Sequence, residues 1–410
     1  MSRNPTFVIV GGGLAGARAA EALRNNDFDG NIVLFSAEDA LPYERPPLSK
    51  DFLAGKKAAE EFTVHGGAWY RDHDVEFHPG TEVDGIDRSA KAVTLPDGQA
   101  VVYDKLLLAT GSRSRHLDLP GAGADRVYYL RTLADAEAID AALSAGAPLA
   151  VVGGGWIGLE VAATARGRDV PVTVVEPAEL PLLAALGPEM AAVFADLHRE
   201  HGVDLRLNTG ATGITIDGQR AVGITLDDGT DVAADAVLVA VGAIPNIEIA
   251  EAAGLQMARG GVAVDASLRT SDPDIFAVGD IAAAEHPLLG KRIRTEHWAN
   301  ALNQPTTAAA AMMGRDAVYD QLPYFFTDQY DLGMEYVGDS EGYRRLLTRG
   351  EVAGREFSAF WLDADDRVLA GMNVNVWEGL DDIKDLVRSR VPVDPDRLAD
   401  PGQPLAGTRA

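Results

Sequence analysis

The chain has 410 residues, 47% of them hydrophobic, and a formal net charge of −26. This is the composition of an ordinary globular protein, long enough for two or three domains at roughly 100–200 residues each, and its charge disfavours nucleic acid or an anionic membrane as main partner. Cysteine is absent, which excludes disulfides, thiolate metal ligands, a covalent thiol intermediate and an internal iron–sulfur cluster, so redox chemistry has to run through a bound organic cofactor.

The first apolar run, Phe7-Val8-Ile9-Val10, leads into Gly11-x-Gly13-x-x-Gly16 and then a helical pattern from about Leu14. In a strand–turn–helix setting the first glycine permits the tight turn. The second lets a pyrophosphate approach the backbone, and the third lets helix and strand pack closely. Ile32-Val33-Leu34-Phe35 is the next strand, and Glu38 follows it at the place of an acid that accepts hydrogen bonds from a ribose. Asp39 competes with it, because a one-residue shift of the loop exchanges the two. Lys105-Leu106-Leu107-Leu108-Ala109-Thr110-Gly111 closes this half.

The pattern then repeats with a period near 140 residues. Leu149-Ala150-Val151-Val152 leads into Gly153-x-Gly155-x-x-Gly158 and a helix from about Trp156, and Val172-Thr173-Val174-Val175 leads to Glu176. Ala236-Val237-Leu238-Val239-Ala240-Val241-Gly242 closes the second half. One copy of such a motif is a weak signal; two complete copies indicate two dinucleotides in one chain, hence a flavin and a nicotinamide. His198 and His201 are three apart on a predicted helix ending at Gly202. With no matching ligand cluster elsewhere they read as solvent-facing, and no metal is expected.

A third strand, Ile275-Phe276-Ala277-Val278, ends in Gly279-Asp280, which places a carboxylate by a cofactor site, and an Ala-rich helix is expected over 298–313. From Tyr324 short apolar stretches predict an antiparallel sheet, then a helix near 380–387 and an extended or mobile tail from Val391. No apolar run reaches the ~18 residues needed to cross a bilayer. The first strand begins almost at once, so no leader segment and a cytoplasmic location are expected.

Taken together these residues resemble the FAD-dependent pyridine-nucleotide reductase superfamily over nearly the whole chain. The most discriminating passage is Leu41-Pro42-Tyr43-Glu44-Arg45-Pro46-Pro47-Leu48-Ser49-Lys50, supported by Leu130-Arg131-Thr132 with Asp135-Ala136 and by Asp328-Gln329-Tyr330-Asp331-Leu332. These are similar to the NADH-dependent ferredoxin reductases that serve Rieske oxygenases and cytochromes P450. Disulfide reductases of the superfamily carry a redox cysteine pair in the first helix region; here the Pro-Pro-Leu-Ser-Lys segment stands instead.

The resemblance implies an α/β fold with two Rossmann-like domains and a C-terminal α+β domain: FAD on 1–114 and 245–322, NADH on 115–244, and the third domain on 323–410. It implies that Gly11, Gly13, Ala15, Gly16, Glu38, Arg45, Lys50, Thr110, Gly111, Arg131, Asp280 and Trp298 serve noncovalent FAD, with Gln304 a weaker candidate. Gly153, Gly155, Ile157, Gly158, Glu160, Glu176 and Gly242 serve NADH. Lys50, beside the flavin, and Glu160, on the first turn of the second helix, are the implied catalytic pair; a buried lysine there calls for a carboxylate partner. Arg45 and Arg131 could instead be structural ion pairs, and Trp298 a core residue.

The implied reaction passes hydride from NADH to FAD, then single electrons to an external [2Fe–2S] ferredoxin that feeds a Rieske oxygenase or P450. The ferredoxin would dock on a basic area, for which Lys291, Arg292 and Arg294 are candidates; an ordinary solvated loop is the other reading. Other acceptors (rubredoxin, a quinone, dioxygen, monodehydroascorbate) and a redox-responsive binding protein like apoptosis-inducing factor remain as alternatives.

Overall fold

The computed structural model describes residues 4–409. The chain gathers into two compact units. The first takes in the chain up to Glu44 with Ala59–Arg113 and Ile244–Pro323, and the second Arg45–Ala58, Ser114–Ala243 and the chain from Tyr324.

At the centre of the first unit is a five-stranded sheet in the order Ile275–Ala277, Lys105–Leu108, Thr6–Val10, Asn31–Phe35, Val75–His78. Every ladder is parallel, with Val8 between Val33 on one side and Leu106 on the other. Parallel sheets are covered on both faces, which is why Thr6–Val10 is a continuous buried run with no polar alternation. The helices Leu14–Asn25 and Trp298–Met312 pack on each other. Their buried faces are mostly alanine, including Ala19, Ala22, Ala308 and Ala309, and small side chains let the two backbones come close.

The second unit repeats the plan. Its parallel sheet runs Asp204–Leu207, Val172–Glu176, Leu149–Val152, Ala236–Val239, Val127–Tyr128. In both sheets the glycine-motif strand is central, between the strand that leads to the acid and the strand that closes the half. The fifth strand has different origins: Ile275–Ala277 follows its sheet in the chain, whereas Val127–Tyr128 precedes its own.

From Tyr324 an antiparallel sheet forms in the order Tyr324–Gln329, Leu332–Gly338, Val368–Val374, Glu356–Leu362, Arg345–Glu351. Trp361, Phe357 and Phe360 are buried in its core, and the helix Leu380–Ser389 covers it with Ile383 and Leu386. The tail differs from expectation. Instead of running free it forms the short helix Pro395–Ala399, and Arg349 holds the carbonyls of Asp400 and Gln403 at 2.7 and 2.5 Å. Val393, Leu398 and Thr408 are buried, so the segment has a packed side that its Pro, Asp and Gly content concealed.

His198 also corrects the sequence reading. It lies on the helix Pro188–Glu200 in line with Met190 and Phe194 at four-residue spacing, so it falls on the buried stripe and is fully enclosed. Burial pushes its imidazole down to about 4, against a bond to Gln329 that acts the other way. The unfolded chain therefore binds this proton first as pH falls. Stability should be flat above about pH 6.5 and decline towards pH 4, with His198 contributing on the order of 3 kcal/mol to the loss. Urea midpoints at pH 7, 5.5 and 4.5 measure this, and His198→Gln should flatten the decline; an unchanged slope would remove His198 as its source. Among the described residues no helix is long and apolar enough to cross a membrane, and no cluster of three or more His, Asp or Glu could hold a metal.

Candidate functional site

Both glycine turns show the same division of labour. Gly11 has φ +121° and Gly153 φ +106°, and each donates its N–H to the neighbouring strand end, to Phe35 at 2.9 Å and Val175 at 2.8 Å. A Cβ at Gly11 would meet the Ala109 carbonyl oxygen at 2.1 Å, and one at Gly153 the Ala240 oxygen at 2.5 Å. The third glycines are as tightly held: a Cβ at Gly16 would sit 1.9 Å from the Gly11 oxygen and one at Gly158 2.3 Å from the Gly153 oxygen. Protein packing alone accounts for these four.

It does not account for the middle pair. Among the described residues, a Cβ at Gly13 would meet nothing within 4 Å, and one at Gly155 only the Ala240 oxygen at 3.9 Å. Both residues have ordinary extended backbone, φ −83° and −80°. Each is the N-cap of a helix, Leu14–Asn25 or Trp156–Arg166, with no side-chain cap and no acid in the first turn. Uncapped N–H groups at a helix start, beside a glycine that the protein does not need for itself, fit the approach of an anionic phosphate. Both turns pass this test, so the residues present suit two dinucleotides.

The acids beyond the second strands are placed differently. Glu176 is the last residue of its strand and its carboxylate accepts from the N–H of Gly154 at 2.7 Å and of Ala178 at 2.9 Å. Glu38 is half-buried and accepts from the Tyr43 hydroxyl at 2.5 Å, while Asp39 is exposed. Ala15 is buried on the first helix, whereas Ile157 remains 41% exposed at the start of the second. Thr110 and Asn246 are tied twice, Thr110 Oγ1 to the Asn246 carbonyl at 2.6 Å and Asn246 Nδ2 to the Thr110 carbonyl at 2.9 Å. Gly111 and Gly242 both adopt positive φ, 63° and 106°. Asp280 is buried in a short 3-10 turn over Gly279–Ile281. Gln304 is buried and its amide oxygen accepts the Gly279 N–H at 2.7 Å, a structural tie for that turn. Trp298 is half-buried and opens its helix.

In the second unit, Pro46–Ser49 forms a 3-10 turn that ends on Lys50. Two bonds secure the segment: Thr164 Oγ1 donates to the Ser49 carbonyl at 2.9 Å and Arg168 Nη1 to the Leu53 carbonyl at 2.8 Å. Arg45 donates to the Arg131 carbonyl, so these two lie together. Lys50 Nζ is 2.7 Å from Glu160 Oε1, with the side chains 14% and 5% exposed. Glu160 is the fifth residue of its helix and so opens the second turn, not the first; it faces inward, away from the position where a helix dipole would hold it. Two hydroxyls that sequence reasoning had not singled out complete its shell. Ser49 donates to Oε2 at 2.5 Å and Thr327 to Oε1 at 2.6 Å. Lys50 also lies over the Phe326 ring, 5.4 Å from its centroid. Ser49 sits inside a passage that carried the family resemblance, next to Lys50, and Thr327 immediately precedes another, next to Asp328; their polarity at buried positions is the signal that could have marked them.

The suggested basic patch dissolves at two of its three positions. Arg292 donates to the carbonyls of Val264 and Ala283 at 2.6 and 2.5 Å and pairs with Glu285 at 2.5 Å. Arg294 donates to the Arg259 and Asp280 carbonyls at 2.9 and 3.1 Å and pairs with Glu296 at 2.6 Å. These guanidinium groups tie down their own loops and are neutralised there, whereas Lys291 sits on the strand Lys291–Ile293.

Residues 5–311 match the pyridine nucleotide-disulphide oxidoreductase family, and residues 324–408 match the reductase C-terminal family. The chain belongs to the pyridine nucleotide-disulphide oxidoreductases. It is similar to putidaredoxin reductase of Pseudomonas putida, 41% identical over 99% of this chain and 97% of that protein. It is 42% identical to the ferredoxin–NAD(+) reductase component of the anthranilate 1,2-dioxygenase system of Burkholderia cepacia, over 98% of both chains. Among solved structures, that of the covalent putidaredoxin reductase–putidaredoxin complex superposes with a TM-score of 0.95 at 40% identity, covering 99% of this chain and 98% of that one. As a member of this family without a single cysteine, the chain has no disulphide chemistry of its own.

Proposed function

We propose that this oxidoreductase is an NADH-dependent ferredoxin reductase with noncovalent FAD. The observation that carries the reading is the pair of turns whose middle glycines, Gly13 and Gly155, are required by no contact among the described residues, in a chain with no cysteine. Bound FAD would supply the conversion of a two-electron hydride donor into single electrons.

The chain's own residues supply binding and electrostatics. Gly11, Gly13, Ala15 and Gly16 would receive the FAD pyrophosphate at the first helix start, and Glu38, held by Tyr43, the adenosine ribose. Thr110, Gly111, Asp280 and Trp298 would line the rest, with Arg45 and Arg131 as cationic partners. Gly153, Gly155, Ile157 and Gly158 would receive the NADH pyrophosphate, with Gly242 beside it. Lys50 would stabilise the negative charge developing at the flavin, and Glu160 would hold that ammonium in place. The electrons would pass to a [2Fe–2S] ferredoxin serving a Rieske oxygenase or cytochrome P450. A cytoplasmic location, with ready NADH, suits this role.

Glu176 sets the nucleotide preference. Backbone N–H groups hold its carboxylate, which would oppose the 2′-phosphate of NADPH at the ribose, and residues 177–180 contain no Lys or Arg to neutralise that phosphate. Like charges ~4 Å apart repel by about 1 kcal/mol in water and about 4 at an effective dielectric near 20, so kcat/KM for NADH should exceed that for NADPH by tens-fold. Comparable values would refute the role of Glu176.

The acceptor is tested with a cytochrome c reporter. Reduction with NADH and this protein alone should be slow and should rise strongly when a purified [2Fe–2S] ferredoxin is added. Full reporter activity without any ferredoxin would reject the acceptor class.

A further inference from the structure

Behind the Lys50–Glu160 pair runs a row of buried polar side chains, all in the second unit. Gln329 Nε2 is 3.2 Å from Thr327 Oγ1, His198 Nε2 is 2.8 Å from Gln329 Oε1, and the Tyr330 hydroxyl is 3.3 Å from His198 Nδ1. Thr327, Gln329 and His198 are all essentially without solvent contact. Thr327 and Gln329 share one face of their strand by its period of two, while Asp328 between them is exposed. Three polar groups lined up in a core would be costly if any of them lacked a partner.

The chemistry fixes the direction of every bond in the row. A carboxylate only accepts, so the single hydroxyl proton of Thr327 goes to Glu160. Thr327 Oγ1 is then an acceptor towards Gln329, which must present its NH2 there and turn its carbonyl oxygen to His198. That oxygen carries no hydrogen, so the proton of His198 sits on Nε2 and Nδ1 is left bare to accept from Tyr330. Burial keeps the imidazole neutral, with the nearby His201 acting in the same sense, as this tautomer requires. Every donor therefore points at Glu160.

A second feature marks the outer end. Tyr330, in the two-residue loop between the strands Tyr324–Gln329 and Leu332–Gly338, has φ +58°, a conformation unfavourable for a bulky residue. It is held there with its ring stacked on His201, centroids 3.7 Å apart, which delivers its hydroxyl to His198.

We propose that His198, Gln329 and Thr327 are positioning residues: a one-way hydrogen-bond chain that fixes the Glu160 carboxylate, and through it Lys50, for hydride acceptance. This rests on the reading of Lys50 and Glu160 given above. None of the three residues touches a reacting atom on this account.

Two measurements on the full FAD-loaded chain test it. In protein labelled with 15N-histidine, His198 should show the neutral Nε2–H tautomer at pH 7, and Gln329→Met should release it. An Nδ1–H tautomer would overturn the stated direction. In anaerobic stopped flow, Thr327→Val should lower the limiting rate of flavin bleaching by NADH about tenfold with the NADH dissociation constant unchanged, and Thr327→Ser should recover to within about twofold. Gln329→Met should slow bleaching in the same sense. Equal losses in the valine and serine variants would reduce Thr327 to packing and reject the chain. Glu160→Gln separates the two levels: if it leaves bleaching unaltered, the reading beneath has failed, whereas if it slows bleaching and Thr327→Val does not, only the positioning chain has.

Discussion

A single methyl group at Gly155 is expected to raise the NADH dissociation constant on the order of a hundredfold while the chain stays folded, because it would displace two charge-assisted phosphate bonds of about 1.5 kcal/mol each. The Gly155→Ala side chain has room in the protein, its nearest neighbour being the Ala240 oxygen at 3.9 Å, and the backbone there is one that any residue adopts. The matching variant in the other half, Gly13→Ala, should leave the fold intact and empty the protein of FAD. Gly11→Ala and Gly153→Ala make the contrast, since both have positive φ and a backbone oxygen within 2.1 or 2.5 Å of the new carbon. Those two should lose thermal stability before any ligand is considered. Isothermal titration with NADH, the flavin-to-protein absorbance ratio and melting temperature distinguish the cases. Full FAD retention by Gly13→Ala, or wild-type NADH affinity in Gly155→Ala, would remove the phosphates from these turns.

Glu160→Leu should produce the other large effect, on stability and on turnover at once. Removing one member of a buried ion pair leaves the other charge uncompensated, a loss of about 3–5 kcal/mol, and here it also strands the donors of Ser49 and Thr327. Glu160→Gln keeps an acceptor in place and removes only the charge, so it should fold better yet slow flavin bleaching by NADH about a hundredfold, the scale seen when one preorganised electrostatic group is lost from an active site. Lys50→Met should slow bleaching to a similar degree while retaining FAD. Urea unfolding and anaerobic stopped flow measure the two effects. Wild-type bleaching rates in both Glu160→Gln and Lys50→Met would take the pair out of the reaction.

The two Rossmann-like sheets were legible because parallel strands covered on both faces must be continuous apolar runs, and because the first and third glycines of each turn are dictated by backbone contacts that any such turn makes. The antiparallel sheet from Tyr324 was legible from its short apolar stretches and turns. The packed tail was not: Val393, Leu398 and Thr408 are single buried residues in a polar segment, with no period to announce them. His198 was misread although Met190 and Phe194 stood eight and four residues before it, because a histidine does not register as apolar in a stripe. Arg292 and Arg294 read as a basic patch because sequence shows charge but not the carbonyls that absorb it. The Lys50–Glu160 approach joins residues 110 apart in the chain, and only family resemblance, not spacing, could suggest it.

The late origin of the strand Ile275–Ala277 bears on how the protein is made. Leu106 and Leu107 pair with Ile275 and Phe276, so during synthesis the inner strand waits with one hydrogen-bonding edge open until some 170 further residues have been added. An unpaired apolar edge recruits other chains, and contacts this distant in sequence form slowly. In the second sheet the wait is shorter, since Val127–Tyr128 precedes its partner Ala236–Val239 by about 110 residues. A free chain ending at about residue 250 should therefore bury the second sheet while the first still presents an edge to chaperones, and Asp280, which lies beyond that point, joins the first unit only after most of the polypeptide exists.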